Sequence, residues 1–149
     1  MTYATRDDIE ALYGADELRA ALNLARDALL LAEDNARVDR ALAESSGQID
    51  AYIGPRYTLP LPLVPDVLRG FAVDMAIYRL AMRNGRPRDE LRTRYEDAVK
   101  FLAAVGDGRA NIPGVDTGGS AGAASSGSSD DVQFVTSGRR ANRNSGLIT

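Results

Sequence analysis

The sequence has 149 residues and a net charge of -3, with no cysteine, no histidine and no tryptophan. That length allows one domain with a modest core. Without cysteine there is neither a disulfide framework nor thiol chemistry, without histidine the commonest general base and metal ligand is missing, and the mild negative charge argues against nonspecific nucleic-acid binding by the whole chain.

The N-terminus, MTYATRDDIE, carries acids where a signal peptide needs an apolar core. The longest apolar run, Ala28 to Ala32, is far too short to span a bilayer. A soluble protein made in the cytoplasm is the expectation. Thr5 is a good N-cap with Asp8 three residues on, a pattern resembling a capping box. Ile9, Leu12 and Tyr13 then share a face, and Gly14 is placed to stop this short helix. Asp16 offers a cap for a second short turn through Leu18 and Leu22. The segment from Asn23 to Asp34 has no clear period: Ala28-Leu29-Leu30-Leu31-Ala32 reads either as an early turn of the next helix or as a separate packing plug.

Asn35 to Ile53 reads as a helix, with Val38, Leu42, Ser45, Ile49 and Tyr52 on one face and Gly54-Pro55 as its terminator. Pro55, Pro60, Pro62 and Pro65 punctuate the next stretch. Proline fixes its own φ and biases the residue before it toward extended conformations, so Arg56 to Val64 is expected as a stiff, extended connector with Leu59 and Leu61 capping one end of a bundle. Pro65 suits a first helical position. From there Leu68, Phe71, Met75, Tyr78 and Met82 recur at helical steps, widened by Val67, Val73, Ile77 and Leu80. A helix apolar on most sides is normally buried by its neighbours, which makes Pro65 to Arg83 the expected central helix. Asn84-Gly85 ends it. Asp89 and Glu90 occupy the first turn of another helix, where the macrodipole favours acids, and Leu91, Tyr95, Ala98, Leu102 and Val105 form its stripe before Gly106 and Gly108.

The body is therefore expected to be all-α: a small helical bundle with a proline-rich elbow and a long flexible C-terminal tail. Gly, Ser and Ala dominate Gly114 to Asp130, a linker composition whose ends average about 20–25 Å apart by random-coil scaling. The expected division is a body over 1–110, a linker over 111–130 and a docking segment over 131–149. Up to Gly108 there are 14 basic against 18 acidic residues, whereas Arg139, Arg140 and Arg143 follow Asp131 with no acid among them. In the last segment Val132, Phe134 and Val135, then the three arginines, then Leu147 and Ile148, read either as a tethered recognition peptide or as a solubilising disordered end.

No catalytic constellation is visible. Serine or threonine nucleophiles lack an activating histidine, Lys100 is the lone lysine and sits among acids, and the carboxylate pairs Asp7/Asp8, Asp89/Glu90 and Glu96/Asp97 are sequence neighbours that point apart on a helix. The glycine-rich stretch lacks the lysine and the preceding strand of a phosphate loop, and no calcium-binding spacing occurs. No cofactor is expected. Arg56 in the elbow and Asp74 in the apolar helix are the two charges that need partners. A structural ion pair between them, pinning elbow to helix, outweighs a ligand-binding role.

The segment IDAYIGPRYTLPLPLVPDVLRGFAVDMAIYRL, Ile49 to Leu80, resembles the Mu-like bacteriophage head–tail connector family, also called head-completion or adaptor proteins. So do YATRDDIEALYG (Tyr3 to Gly14) and RYEDAVKFLAAVGDGR (Arg94 to Arg109), and FVTSGRR (Phe134 to Arg140) is similar to the family's terminal segment. The chain departs from the pattern at Ala25 to Asp34, where a looser loop is expected. The resemblance implies a structural virion protein without enzymatic activity. It implies a homo-oligomeric ring, a dodecamer, in the neck at the portal vertex, assembled in the host cytoplasm. It implies the portal protein and a stopper or tail-completion protein as partners, with DNA passing through the ring without specific binding and no membrane involved. Val132, Phe134, Val135, Arg139, Arg140, Arg143, Leu147 and Ile148 are then the expected portal-binding residues. Since the apolar stripes are spent inside the body, ring contacts are expected to be largely polar, from faces such as Arg37–Glu44 and Arg88–Glu96. The competing class is a small helical nucleic-acid-binding packaging factor, against which stand the acidic body and the lack of a basic recognition helix.

Overall fold

The computed structural model describes residues 1–85 and 88–115. These form five helices and no strand: α1 (Arg6–Tyr13), α2 (Ala15–Ala21), α3 (Ala32–Ile53), α4 (Asp66–Arg83) and α5 (Asp89–Gly106). The all-α expectation holds, and α4 is the centre, since it contacts each of the other four helices.

The helix ends follow from local chemistry. Thr5 and Asp8 close a capping box: the Asp8 carboxylate accepts the Thr5 N–H at 2.7 Å and the Thr5 hydroxyl accepts the Asp8 N–H at 3.4 Å. The Thr5 N–H, and with it the Thr5 hydroxyl, donates to the Asp8 carboxylate and lowers its pKa. Gly14 separates α1 from α2 at φ +85, a conformation open to glycine and strained for other residues. α3 begins at Ala32, a turn earlier than the apolar pattern indicates. There the Asp34 carboxylate reaches back to the Leu31 N–H at 3.1 Å and satisfies a donor that the apolar N-cap residue cannot. Pro65 is the N-cap of α4, with ψ 145, rather than its first helical residue; its carbonyl accepts the N–H groups of Leu68 and Arg69.

The core runs along α3, α4 and α5. α3 buries Val38, Ala41, Leu42, Ser45, Ser46, Ile49 and Ile53, and α5 buries Leu91, Ala98, Leu102 and Val105, close to the predicted stripes. On α4 Leu68, Val73, Met75, Ile77 and Leu80 of the predicted stripe are buried, together with the small residues Ala72, Ala76 and Ala81, whereas Met82 is 48% exposed. Alanines let α4 approach its neighbours closely. The larger Phe71 and Tyr78 lie at the flank, against Phe101 and Tyr95 of α5 at centroid distances of 5.2 and 4.7 Å. On α1, Leu12 is likewise exposed while Ile9 is fully buried.

The elbow is bent rather than extended. The Arg56 and Tyr57 amides still donate to the Ile53 carbonyl, continuing the end of α3 for a turn. Tyr57 and Leu61 then insert into the core, Leu59 packs partly against it, and Leu63 faces outward. Tyr3 and Ala4, which precede α1, are also core: the Tyr3 amide donates to Ser46 Oγ at 3.1 Å and its hydroxyl to the Asp50 carboxylate. At the other end the core closes on Ile112, whose N–H donates to the Tyr57 hydroxyl at 2.9 Å.

Candidate functional site

Arg56 and Asp74 do not pair. The Arg56 guanidinium turns toward the end of α5, where Nη1 donates to the carbonyls of Val105 and Ala110, both at 2.9 Å, and Nη2 to Asn111 Oδ1 at 3.1 Å. A helix C-terminus leaves carbonyls without partners and carries partial negative charge, so a planar cationic fork is well placed there. Arg56 thus fastens the 107–112 segment to the elbow.

Asp74 accepts instead from the Tyr13 hydroxyl at 2.6 Å, and Arg94 of α5 lies over the Tyr13 ring at 5.5 Å from its centroid. Tyr13 therefore links α1, α4 and α5 through one polar contact and one cation–π contact. Burial raises the Asp74 carboxyl above its usual value, and the Tyr13 bond and the Arg94 charge offset this only in part. The same burial, with the carboxylate beside it, pushes the Tyr13 hydroxyl up. The arrangement holds three helices together. The sequence missed it because the central apolar pattern marks Asp74 as needing a partner but does not say which side of α4 it faces. Tyr13 had been read as an ordinary member of an apolar stripe.

A second polar joint sits where α2, α3 and α4 meet. The Asn84 side-chain amide donates to the Ala21 carbonyl at 2.6 Å and the Leu80 carbonyl at 3.0 Å, and its oxygen accepts from Arg37 Nη2 at 2.8 Å. Beside it, Glu44 takes a bidentate contact from Arg83 at 2.8 and 2.9 Å. Arg37 and Glu44 thus each make contacts within the body.

The described surface carries shallow grooves and a few exposed apolar side chains. One groove of about 250 Å³ is lined by Tyr78, Arg79, Met82, Arg83 and Tyr95. Another of about 270 Å³ lies between α1 and the first half of α4, with Ala11, Leu12, Gly70 and Val73 at its floor and Asp8, Asp66 and Arg69 at its rim. Leu29, Leu31 and Leu63 are 84%, 59% and 72% exposed. The run from Ala28 to Ala32 is thus mostly loop that joins α3 at its last residue. Only Leu30 packs inward, so the segment is not a plug. Among the described residues no group of three or more acidic side chains is gathered as a metal site, and no helix is long and apolar enough to cross a membrane. Val132, Phe134, Val135, Arg139, Arg140, Arg143, Leu147 and Ile148 lie outside the described residues.

Residues 3–130 match the family model described as Bacteriophage Mu, Gp36. The chain is 34% identical over 118 residues to gene product J of Escherichia phage Mu, covering 78% of this chain and 79% of that protein. It is 40% identical over 79 residues to the Mu-like prophage FluMu protein gp36 of Haemophilus influenzae, covering 53% of this chain and 55% of that relative. In that second match the chain spans only about half of the relative's length.

Proposed function

This chain belongs to the bacteriophage Mu Gp36 family, and we propose that it is a structural adaptor of the virion neck, without enzymatic activity. Copies form a ring between the portal and the stopper or tail, around the channel through which DNA passes. The observation that carries this reading is the division of the chain. A fastened helical body closes its core at Ile112, and beyond it come a Gly/Ser-rich stretch and a segment combining Val132, Phe134 and Val135 with Arg139, Arg140 and Arg143.

A ring adaptor needs contacts to ring neighbours and to the portal, and a body plus a tethered segment supplies both kinds. The apolar residues serve as anchors in the portal and the arginines as partners for its acids, with Leu147 and Ile148 as a terminal plug. The acidic balance of the body suits a channel in which DNA must slide, because like charges do not hold phosphates. Deleting residues 131–149 is the test. The truncated chain is expected to keep its helical content and melting temperature and to lose attachment to portal-bearing capsids. A truncated chain that still joins portals normally would transfer the docking role to the body.

A further inference from the structure

Leu29 and Leu31 lie toward one end of α4 and the α1–α4 groove toward the other. The loop after Leu22 leaves α2 beside Asn84, since Asn84 at the C-cap of α4 holds the Ala21 carbonyl. The groove is built on the other end of α4, from Asp66 to Val73. From Gly70 to Asn84 the helix rises about 21 Å. A copy with its loop at one end and its groove at the other can meet two different neighbours, the heterologous, head-to-tail contact that a ring requires, whereas a two-fold pair would use both reciprocally and stop at two copies.

The loop is held ready. Arg19 Nε donates to the Ala28 carbonyl at 3.0 Å, the Leu24 N–H donates to the Arg19 carbonyl at 2.8 Å, and the Leu31 N–H is tied to Asp34. Leu31 has extended backbone, φ -81 and ψ 170. Alternation along the run turns Leu29 and Leu31 outward and Leu30 toward the core. The groove, at about 270 Å³, is below the usual range for small-molecule pockets of about 300–1,000 Å³. An apolar floor of this size suits aliphatic side chains.

Charge agrees with the match. The rim carries Asp8 and Asp66, with only Arg69 against them. The Asp66 side chain is 94% exposed and pairs with Arg69 at 2.9 Å, which leaves the rim one acid in excess. Three residues before Leu29, the Arg26 side chain is 86% exposed and, among the described residues, pairs with Asp16 at 3.4 Å. Such an exposed pair is weak and readily exchanged for a carboxylate on a neighbour.

We propose that Leu29 and Leu31 of one copy seat in the Leu12–Val73 groove of the next, with Arg26 on its acidic rim, so that the chain assembles head to tail. The contact rests on the ring reading above and supplies it with an apolar subunit junction where the charge pattern had indicated polar ones. A single junction is small, so it is weak between two free copies and gains from closure of the ring.

Sedimentation velocity of the full chain, up to about 1 mM where weak pairs become populated, tests it with two variants. One is Leu29→Asp with Leu31→Asp. The other is Gly70→Leu, where an added Cβ meets nothing within 4 Å; Leu12→Asp replaces it should the melting temperature fall. The wild type is expected to gain mass with concentration past the dimer, which a reciprocal two-fold pair would not do, and each variant alone to remain monomeric; a wild type that stops at a dimer overturns the head-to-tail contact. An equimolar mixture should recover a one-to-one dimer and stop there, since each partner retains one working half. Wild-type association that survives both variants, or a mixture that stays monomeric, overturns the contact and leaves the ring reading standing. A wild type that stays monomeric throughout also overturns it, while the neck reading is judged on particles.

Discussion

Asp74 shows how one partly buried carboxylate sets a pH dependence. Its native pKa is raised above the ordinary 3.8, so between the ordinary and the raised value the folded chain binds more protons than the unfolded one. Stability then falls as pH rises through that window. Asp74→Asn keeps an oxygen to accept the Tyr13 hydroxyl and removes the desolvated charge. In denaturant titrations the variant is expected to be at least as stable as wild type near neutral pH. That advantage should disappear below about pH 4, where the wild-type carboxyl is itself protonated. Tyr57 makes a complementary case. Tyr57→Phe preserves the ring and leaves the buried Ile112 N–H without its acceptor, which should cost about 1–3 kcal/mol in the same titrations. The sequence showed that Arg56 and Asp74 needed partners, because a charge among apolar residues and prolines is expensive alone. It could not show that carbonyls at the end of α5 would serve the one and a tyrosine on α1 the other, since both depend on the packing of distant segments.

Two helical glycines separate propensity from packing. In α3, a Cβ at Gly47 would meet nothing within 4 Å, whereas in α5 a Cβ at Gly106 would lie 2.8 Å from the backbone carbonyl oxygen of Tyr52. Gly47→Ala should raise stability by about 0.5–1 kcal/mol by removing backbone freedom from the unfolded chain. Gly106→Ala should lower it by about 1–3 kcal/mol, because α5 can no longer approach α3 as closely. Thermal melts of the two variants in opposite directions are the expected result. The spacing places Gly106 at the end of the α5 stripe, but its close approach is a property of two helices and leaves no mark in either. The helices themselves were legible: Val38, Leu42 and Ile49 on α3 and Leu91, Ala98 and Leu102 on α5 fall where their spacing puts them. On α4 Leu68, Val73, Met75, Ile77 and Leu80 are buried where the spacing puts them, while the buried Ala72, Ala76 and Ala81 escape a periodic reading weighted by large residues, and Met82 turns outward. The start of α3 was set by Asp34, a polar cap inside a stretch judged by its apolar residues.

For the whole molecule, the body spends most of its apolar surface internally, with Leu12, Leu29, Leu31, Leu63 and Met82 left outward. Membership of the bacteriophage Mu Gp36 family makes it a Mu-like phage protein. The neck, the ring and the portal contact are the proposal that gives the body, the outward leucines and the C-terminal segment a common purpose. The proposed docking residues were readable only as a composition, anchors and arginines after a Gly/Ser-rich stretch, because recognition is a property of a partner surface. The most direct measurement is a reconstruction of the neck by electron cryomicroscopy from phage particles that carry this chain. The account predicts a closed ring of copies of the five-helix body between portal and stopper, with each C-terminal segment reaching the portal and the channel open through the centre. Finished particles whose necks lack this chain, or that hold it elsewhere than at the portal vertex, would contradict it.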